Sequence, residues 1–524
     1  MATESGLIKL KMPGWRPALP GSTSESGFMD LRMSKETDLR IVMIAAEAAP
    51  FVKVGGLGDV VGALPQALEK LGAKVTVIIP AYGNKVSSQV EPCRDIPGFN
   101  VVLGSFEEFA SVFRSSMPGT GVEVYLIGSR RYFERDGVYD DPLTGEGYAD
   151  NMERYVFFVK ASLELLLRLP DSYDVIHCHD SHTALIPGLI KEKYGDAVRL
   201  TRARTVFTIH NLAYQGNYTS EALDLAGISS HRFYPFSPFE FWKQVSFMKA
   251  GIMFADEVTT VSPTYAKEIQ KPELGFGLEG VLRERKNHLH GIINGIDYNE
   301  WNPETDPFIA KCFSYKKLSG KAVCKRDILE YFSLGRGRDI ERIPLIGVIS
   351  RLANQKGFDL IAEAIPMIAE MDVFMVILGT GQQFYNDLVK DLAGRYPEKI
   401  AARLAFDNAL AHKIEAGCDM FLMPSRYEPC GLNQLYSLRY GTIPIVHRTG
   451  GLADTVIPYN GDSGTGFSFA NYSADDLTLS IGEALAVYLD RTKWEKLVRR
   501  AMREDWSWES SAKRYMDIYN KGNF

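Results

Sequence analysis

Residues 423–455 read MPSRYEPCGLNQLYSLRYGTIPIVHRTGGLADT, with one carboxylate, Glu428, between a short apolar run at 419–423 and a helical pattern from about 432 to 440. A group in such a strand-to-helix loop sits where open α/β sheets bind ligands. The helix that begins after Gly431 offers unpaired backbone N–H groups and the positive end of its dipole, a seat for phosphate. A lone glutamate there could serve the dipole and nothing else. Other strand-end loops supply company: Lys53, Asp180, His210, Arg351 and Lys356. Three of these are cations. A departing diphosphate needs them, because charge builds on its oxygen as the bond to carbon breaks. Arg351 can clamp two oxygens at once while Lys356 acts as a point charge. The plainer alternative for the pair is a solvent-facing Arg and Lys. No Asp-x-Asp at a strand end demands a metal.

The elements that must position these groups alternate. An apolar run at 39–46 leads into KVGGLGD (53–59) and a helix over 60–71. Strand, glycine loop and helix in that order form a phosphate cradle, though the spacing is neither that of a P-loop nor of a dinucleotide fingerprint. Here too a tight turn with an exposed lysine is the competing reading. Strands are expected at 75–81, 174–179, 205–210, 257–261 and 290–293, with short β runs between 100 and 127. Helices are expected at 149–169, 240–254 and 263–271, the last capped by Ser262 ahead of Pro263. The run HCHDSH (177–182) ends a strand, and its spacing is not that of a helical metal site. A second series follows: strands at 344–350, 373–378, 400–406, 419–423 and 442–446, alternating with helices at 321–334, 358–370, 382–394 and 410–417. Such alternation predicts parallel sheets and an α/β fold. KVGGLGDVV and RTGGLADTV look like equivalent turns of two similar domains. The stretch 492–519 reads as helical, and Trp494, Trp506 and Trp508 predict that it docks on another surface.

Composition narrows the classes. The chain has 524 residues, 45% of them hydrophobic and 24% charged, with a formal net charge of −6. That length implies more than one domain, and the acidic balance argues against a nucleic-acid partner. Six scattered cysteines without a CxxC suit a reducing compartment. No apolar run is long enough for a membrane span. Residues 1–38, rich in Ser, Gly, Pro and Thr, are expected to be a flexible tail without the order of a secretory signal.

The stretch around Glu428, with KVGGLGDV at 53–60, IHNLAYQG at 209–216 and SRLANQKG at 350–357, resembles the nucleotide-sugar site of bacterial glycogen synthases and plant starch synthases. The resemblance covers roughly residues 39–520. It implies the GT-B architecture: two Rossmann-like domains with parallel sheets facing across a cleft, and a C-terminal helix crossing back to the first. The expected division is a tail at 1–38, an acceptor-side domain at 39–305, a nucleotide-sugar domain at 306–500 and the returning helix at 501–524. The implied reaction is retaining transfer of glucose from ADP-glucose, with UDP-glucose as a second donor to be tested, to the 4-hydroxyl of an α-1,4-glucan such as starch, glycogen or a malto-oligosaccharide. No cofactor, metal, nucleic acid or membrane is implied, and the place of action is intracellular, in a plastid, on a starch granule or in cytoplasm.

Residue by residue, the resemblance gives Glu428 the essential carboxylate's place beside the donor sugar, Arg351 and Lys356 the diphosphate, and His210 the reacting carbon and 6-hydroxyl. Lys53, Gly55, Gly56 and Asp59 belong to the first-domain loop that touches the donor. Asp180 and Asn294 line the acceptor and sugar side, and Phe406 matches an aromatic against adenine. Cys430 and Gly431 contact the sugar, while Leu432 and Asn433 present N–H groups to phosphate. Two departures stand out. Tyr436 occupies the position where wider relatives carry a second glutamate, and Ser181 replaces a tryptophan of the HDWH form. KVGGLGDV and IPAYGNK are closer to the plant type than to the bacterial KTGGLAD form. The competing assignments are another GT-B glucosyltransferase using UDP-glucose and a non-catalytic glucan-binding scaffold.

Overall fold

The computed structural model describes residues 39–83 and 90–521, so the tail expected at 1–38 lies outside the described residues. The first half lays down β1 (Arg40–Ile44), β2 (Lys74–Pro80), β3 (Glu91–Pro92), β4 (Gly98–Leu103), β5 (Phe106–Ser116), β6 (Glu123–Gly128), β7 (Val175–His179), β8 (Arg204–Ile209), β9 (Asn217–Tyr218), β10 (Glu240–Phe241), β11 (Gln244–Ser246), β12 (Glu257–Thr260) and β13 (Leu289–Gly291). Ten of these form one sheet in the order β13-β12-β8-β7-β1-β2-β6-β5-β3, with β4 on β5. The run from β13 to β6 is parallel, and β3, β4 and β5 are an antiparallel appendage. The β1 and β7 sequences RIVMI and VIHCH are buried almost throughout, as strands covered by helices on both faces must be.

The second half contains β14 (Leu345–Ile349), β15 (Phe374–Leu378), β16 (Ile400–Arg403), β17 (Met420–Met423), β18 (Ile443–His447) and β19 (Phe467–Phe469), all parallel, in the order β16-β15-β14-β17-β18-β19. Counted among parallel strands alone, both halves run third-second-first-fourth-fifth-sixth, the doubly wound order, and the first half adds β13 as a seventh. In each half the order reverses beside its first strand, between β1 and β7 and between β14 and β17. Such a reversal is where a doubly wound sheet offers a crevice to a ligand.

The chain end ties the halves together. A helix over Arg491–Ala501 packs in the second core through Trp494, and a second helix, Trp508–Tyr519, joins the core of the first half. The single helix expected over 492–519 is therefore broken between 502 and 507, where Trp506 O accepts from Ile296 N at 2.8 Å. Gly295 allows the crossing, since a β-carbon there would sit 2.5 Å from the Trp508 Cα. Tyr519 Oη bonds His177 at 2.8 Å and Ser511 Oγ donates to Ile293 O at 2.6 Å.

Two further expectations fail. The helix expected over 240–254 is a hairpin of β10 and β11 followed by a helix over Phe247–Phe254. The hairpin turn places Trp242 and Lys243 at φ 51° and 65°, a conformation that usually advertises itself as Asn-Gly. The glycine turns of KVGGLGDVV and RTGGLADTV are also not equivalent. The first follows β1, the first strand of its half, whereas the second follows β18, the fifth. The counterpart of the first is the loop after β14.

Candidate active site

The second-half site is built at the switch point. The loop after β14 carries Arg351 and Lys356, and the loop after β17 carries Glu428. Lys356 Nζ meets Glu428 Oε2 at 2.6 Å, and Ser425 Oγ donates to the same oxygen at 2.9 Å. Glu428 is buried, with 6% of its surface exposed, and the lysine is partly covered. Removing either member of such a pair would leave a buried charge without its partner. Arg351 is exposed and has no ion-pair partner among the described residues, so it is available to an anion. The helix Asn433–Tyr440 starts immediately beyond, and its first amides, those of Leu432 and Asn433, have no intrahelical acceptor. Asn433 Nδ2 donates to Ile349 O at 2.7 Å and holds that helix start against β14.

Glycines make this loop fit. Gly431 has φ 73° and turns the chain into the helix. Beneath it, the turn after β18 packs backbone on backbone: Gly451 N donates to Glu428 O at 3.0 Å, and a β-carbon on Gly450 would lie 2.0 Å from that same oxygen. The RTGG turn is a floor under Glu428.

The first-half groups come from loops at the same ends of β1, β7 and β8. Lys53 pairs with Asp59 at 2.5 Å, and Gly55 and Gly56 lie beside them, exposed. Gly56 faces the second half, since a β-carbon there would lie 3.9 Å from Leu432 Cδ1. Buried Glu47 ties the loop down, accepting from Val54 N at 2.5 Å, Gly55 N at 3.0 Å and Tyr139 Oη at 2.5 Å. Glu47 belongs to no motif of the sequence. Its only signal was an acid within the apolar AAEAAPF. Asp180 ends β7 at φ 56° and accepts from His210 N at 2.8 Å, so it shapes the turn that carries His210. Burial pushes the Asp180 carboxyl up to about 7 and holds the His210 imidazole down to about 3. His210 is therefore a neutral hydrogen-bonding group near neutral pH.

The HCHDSH histidines face protein. His179 Nδ1 lies 3.0 Å from His210 Nε2, and His177 is spent on Tyr519 and Thr208. Among the described residues no cluster of three or more His, Cys, Asp or Glu could hold a metal ion.

Cys430 and Asn294 meet where the halves touch. Asn294 N–H points at the Cys430 sulfur, whose thiol burial pushes up to about 12. The Asn294 Oδ1 is buried without a partner. Phe406 stands apart, 87% exposed, beyond the end of β16. Tyr436 lies inside a stack, its ring 3.9 Å from Trp301, which lies 3.9 Å from His412 on its other face. The halves also meet at a second place. Thr264 Oγ1 donates to Asp454 at 2.7 Å, and Gly450 N donates to Glu268 at 3.0 Å.

Two doubly wound halves with cations and a carboxylate at their switch points define a glycosyltransferase of the GT-B class. Residues 40–284 match the family model described as starch synthase catalytic domain, and residues 338–501 the one described as glycosyl transferases group 1. The chain is 46% identical over 487 residues to the glycogen synthase of Koribacter versatilis, covering 92% of this chain and 98% of that one. It is 45% identical to that of Anaeromyxobacter dehalogenans, covering 92% and 99%. Among solved structures, the catalytic domain of starch synthase IV from Arabidopsis thaliana, bound to ADP and acarbose, superposes with a TM-score of 0.85 at 34% identity, covering 93% of this chain and 99% of that one. Sucrose-phosphate synthase from Thermosynechococcus elongatus shares the fold at 16% identity, with a TM-score of 0.57 and coverage of 92% and 98%. The chain belongs to the starch and glycogen synthase family of hexosyltransferases.

Proposed function

We propose that the protein transfers glucose, with retention, from ADP-glucose to the 4-hydroxyl at the end of an α-1,4-glucan chain. The observation that carries this reading is the Lys356–Glu428 pair at the second switch point, beside Arg351, which has no ion-pair partner among the described residues. The charge that develops on a departing diphosphate would be met by Arg351, Lys356 and the helix-start amides of Leu432 and Asn433. Glu428 would lie beside the sugar, with Cys430 and Gly431 shaping its pocket. The first-half loop with Lys53, Gly55, Gly56 and Asp59 would close on the donor from the other side. Neutral His210 would hydrogen-bond the sugar, Asp180 and Asn294 would line the acceptor side, and Phe406 would cover the base. Retention without a second carboxylate suits a front-face route. The bond from the sugar carbon to the diphosphate oxygen breaks, the bond to the acceptor oxygen forms on the same face, and the acceptor proton passes to the departing phosphate. Because protein cations supply the positive charge, we propose that no metal or cofactor takes part. Among the described residues no helix is long and apolar enough to cross a membrane, and all six cysteines are free. The free thiols support action inside a cell, in plastid or cytoplasm.

The test is ADP or UDP release from the two nucleotide sugars, with and without glucan and with and without a chelator. Glucan-dependent, chelator-insensitive ADP release is expected, falling on the order of 10²–10³-fold in Lys356→Ala. Preference for UDP-glucose would shift the reading to the other class of glucosyltransferase, and tight glucan binding with no release to a scaffold.

A further inference from the structure

An aromatic track leads away from Glu428 across the first half. Tyr427, the neighbour of Glu428, has its ring 6.0 Å from that of Phe276. Beyond Phe276, Gly277 lies under the next two rings: a β-carbon there would be 2.9 Å from Phe241 Cζ and 3.5 Å from Trp242 Nε1. Trp242 is 79% exposed, and Phe236, whose amide is held by the same Glu240 that holds the turn at Lys243, is 93% exposed. Single exposed aromatics need no explanation, but a contiguous series does.

The backbone supplies a second, independent observation. Phe236, Trp242 and Phe276 all have positive φ, at 67°, 51° and 50°. Glycine or asparagine would adopt that conformation at lower cost, yet each position carries a large aromatic that reaches solvent. The turns are also held rigidly. Glu240 accepts from both Phe236 N, at 3.0 Å, and Lys243 N, at 2.8 Å, and buried Lys249 donates to Ser237 O and Glu240 O at 2.8 and 2.6 Å. Strained backbone that the surroundings hold in place clusters at ligand clamps.

We propose that Phe276, Trp242 and Phe236 form a platform for the distal part of a linear α-1,4-glucan acceptor, whose reacting end lies at Glu428. The inference rests on the acceptor reading above. Glucose units are neutral and present apolar C–H faces that stack on aromatic rings, and their hydroxyls need no charged partner. The track is continuous with the catalytic loop through Tyr427, so a chain long enough to leave the cleft meets these rings next.

Trp242→Asn and Phe236→Asn test it, since asparagine suits the left-handed turn and the fold should be kept or eased. Leu479→Ser, at an exposed leucine of the second half, is the control. Affinity electrophoresis through gels containing amylose reads the platform without turnover. KM for amylose and for maltotriose, from ADP release, reads it during turnover. Both aromatic variants are expected to weaken amylose retention and raise the amylose KM about tenfold, the loss of one stacking surface, while the maltotriose KM moves far less. Retention equal to that of the control, or equal shifts for both acceptors, would overturn the platform. Absence of glucan-dependent release from the wild type would instead remove the acceptor reading, and the electrophoresis would still report on the surface.

Discussion

Asp180 combines two opposing influences. Its backbone donors favour the carboxylate, but burial outweighs them and raises its pKa from 3.8 to about 7. The native state therefore holds this proton where the unfolded chain has released it. The group's contribution to stability is full below about pH 4 and is lost as pH rises to about 7, at no more than about 1.4 kcal/mol per pH unit. Asp180→Asn carries no such charge. Melting temperatures measured from pH 4 to 7 should fall more steeply for the wild type than for the variant, and parallel curves would show that the carboxyl titrates normally. Cys430 is simpler. With its thiol pushed up to about 12 and buried, it is a packing atom between the halves rather than a nucleophile.

The glycine turn after β18 belongs to the element scale, because what it supports is a loop rather than one side chain. In Gly450→Ala the new methyl would meet Glu428 O at φ 44°, so the Glu428 loop itself must move. A loss of about 3 kcal/mol in stability is expected, with kcat reduced more than KM for the donor. Denaturant titration and steady-state kinetics together check this, and an unchanged kcat would show that the floor does not position Glu428. The parallel strands were legible because strands covered on both faces are continuous apolar runs with polar ends. The Ser262 cap was legible for a similar local reason: its Oγ accepts from Tyr265 N at 3.0 Å, as its place before Pro263 predicts. The loops at the strand ends followed from the same alternation, which is why Lys356 and Glu428 could be named before any contact was known. What failed needed information from elsewhere in the fold. The Trp242-Lys243 hairpin lacks turn residues and depends on Glu240. Glu47 holds the Lys53 loop through bonds that no spacing encodes. The inequivalence of the two glycine turns appears only in the strand order.

At the scale of the molecule, the halves are joined by the returning helix and, separately, by the contacts of Thr264 and Glu268 with the turn that underlies Glu428. Glu268 holds the Gly450 amide with both carboxylate oxygens, at 3.0 and 3.1 Å, and Thr449 Oγ1 donates to it at 3.1 Å. These bonds join the two halves, and closure over a donor as proposed above would depend on them. Glu268→Ala should favour the open arrangement. The radius of gyration in solution scattering should increase, and KM for the nucleotide sugar should rise at least about tenfold, the cost of one charge-assisted hydrogen bond. Identical scattering profiles would mean that these bonds do not govern opening.

The returning helix also has a consequence for how the protein is made. A ribosome releases the strands of the first sheet, ending at Gly291, more than two hundred residues before Tyr519 emerges. During that interval His177 lacks the hydroxyl that will bond it, and Trp508, Tyr515 and Tyr519 are missing from the first core. The half that is synthesised first is therefore completed last, and it must wait, with apolar surface uncovered, while the second half is translated and folds.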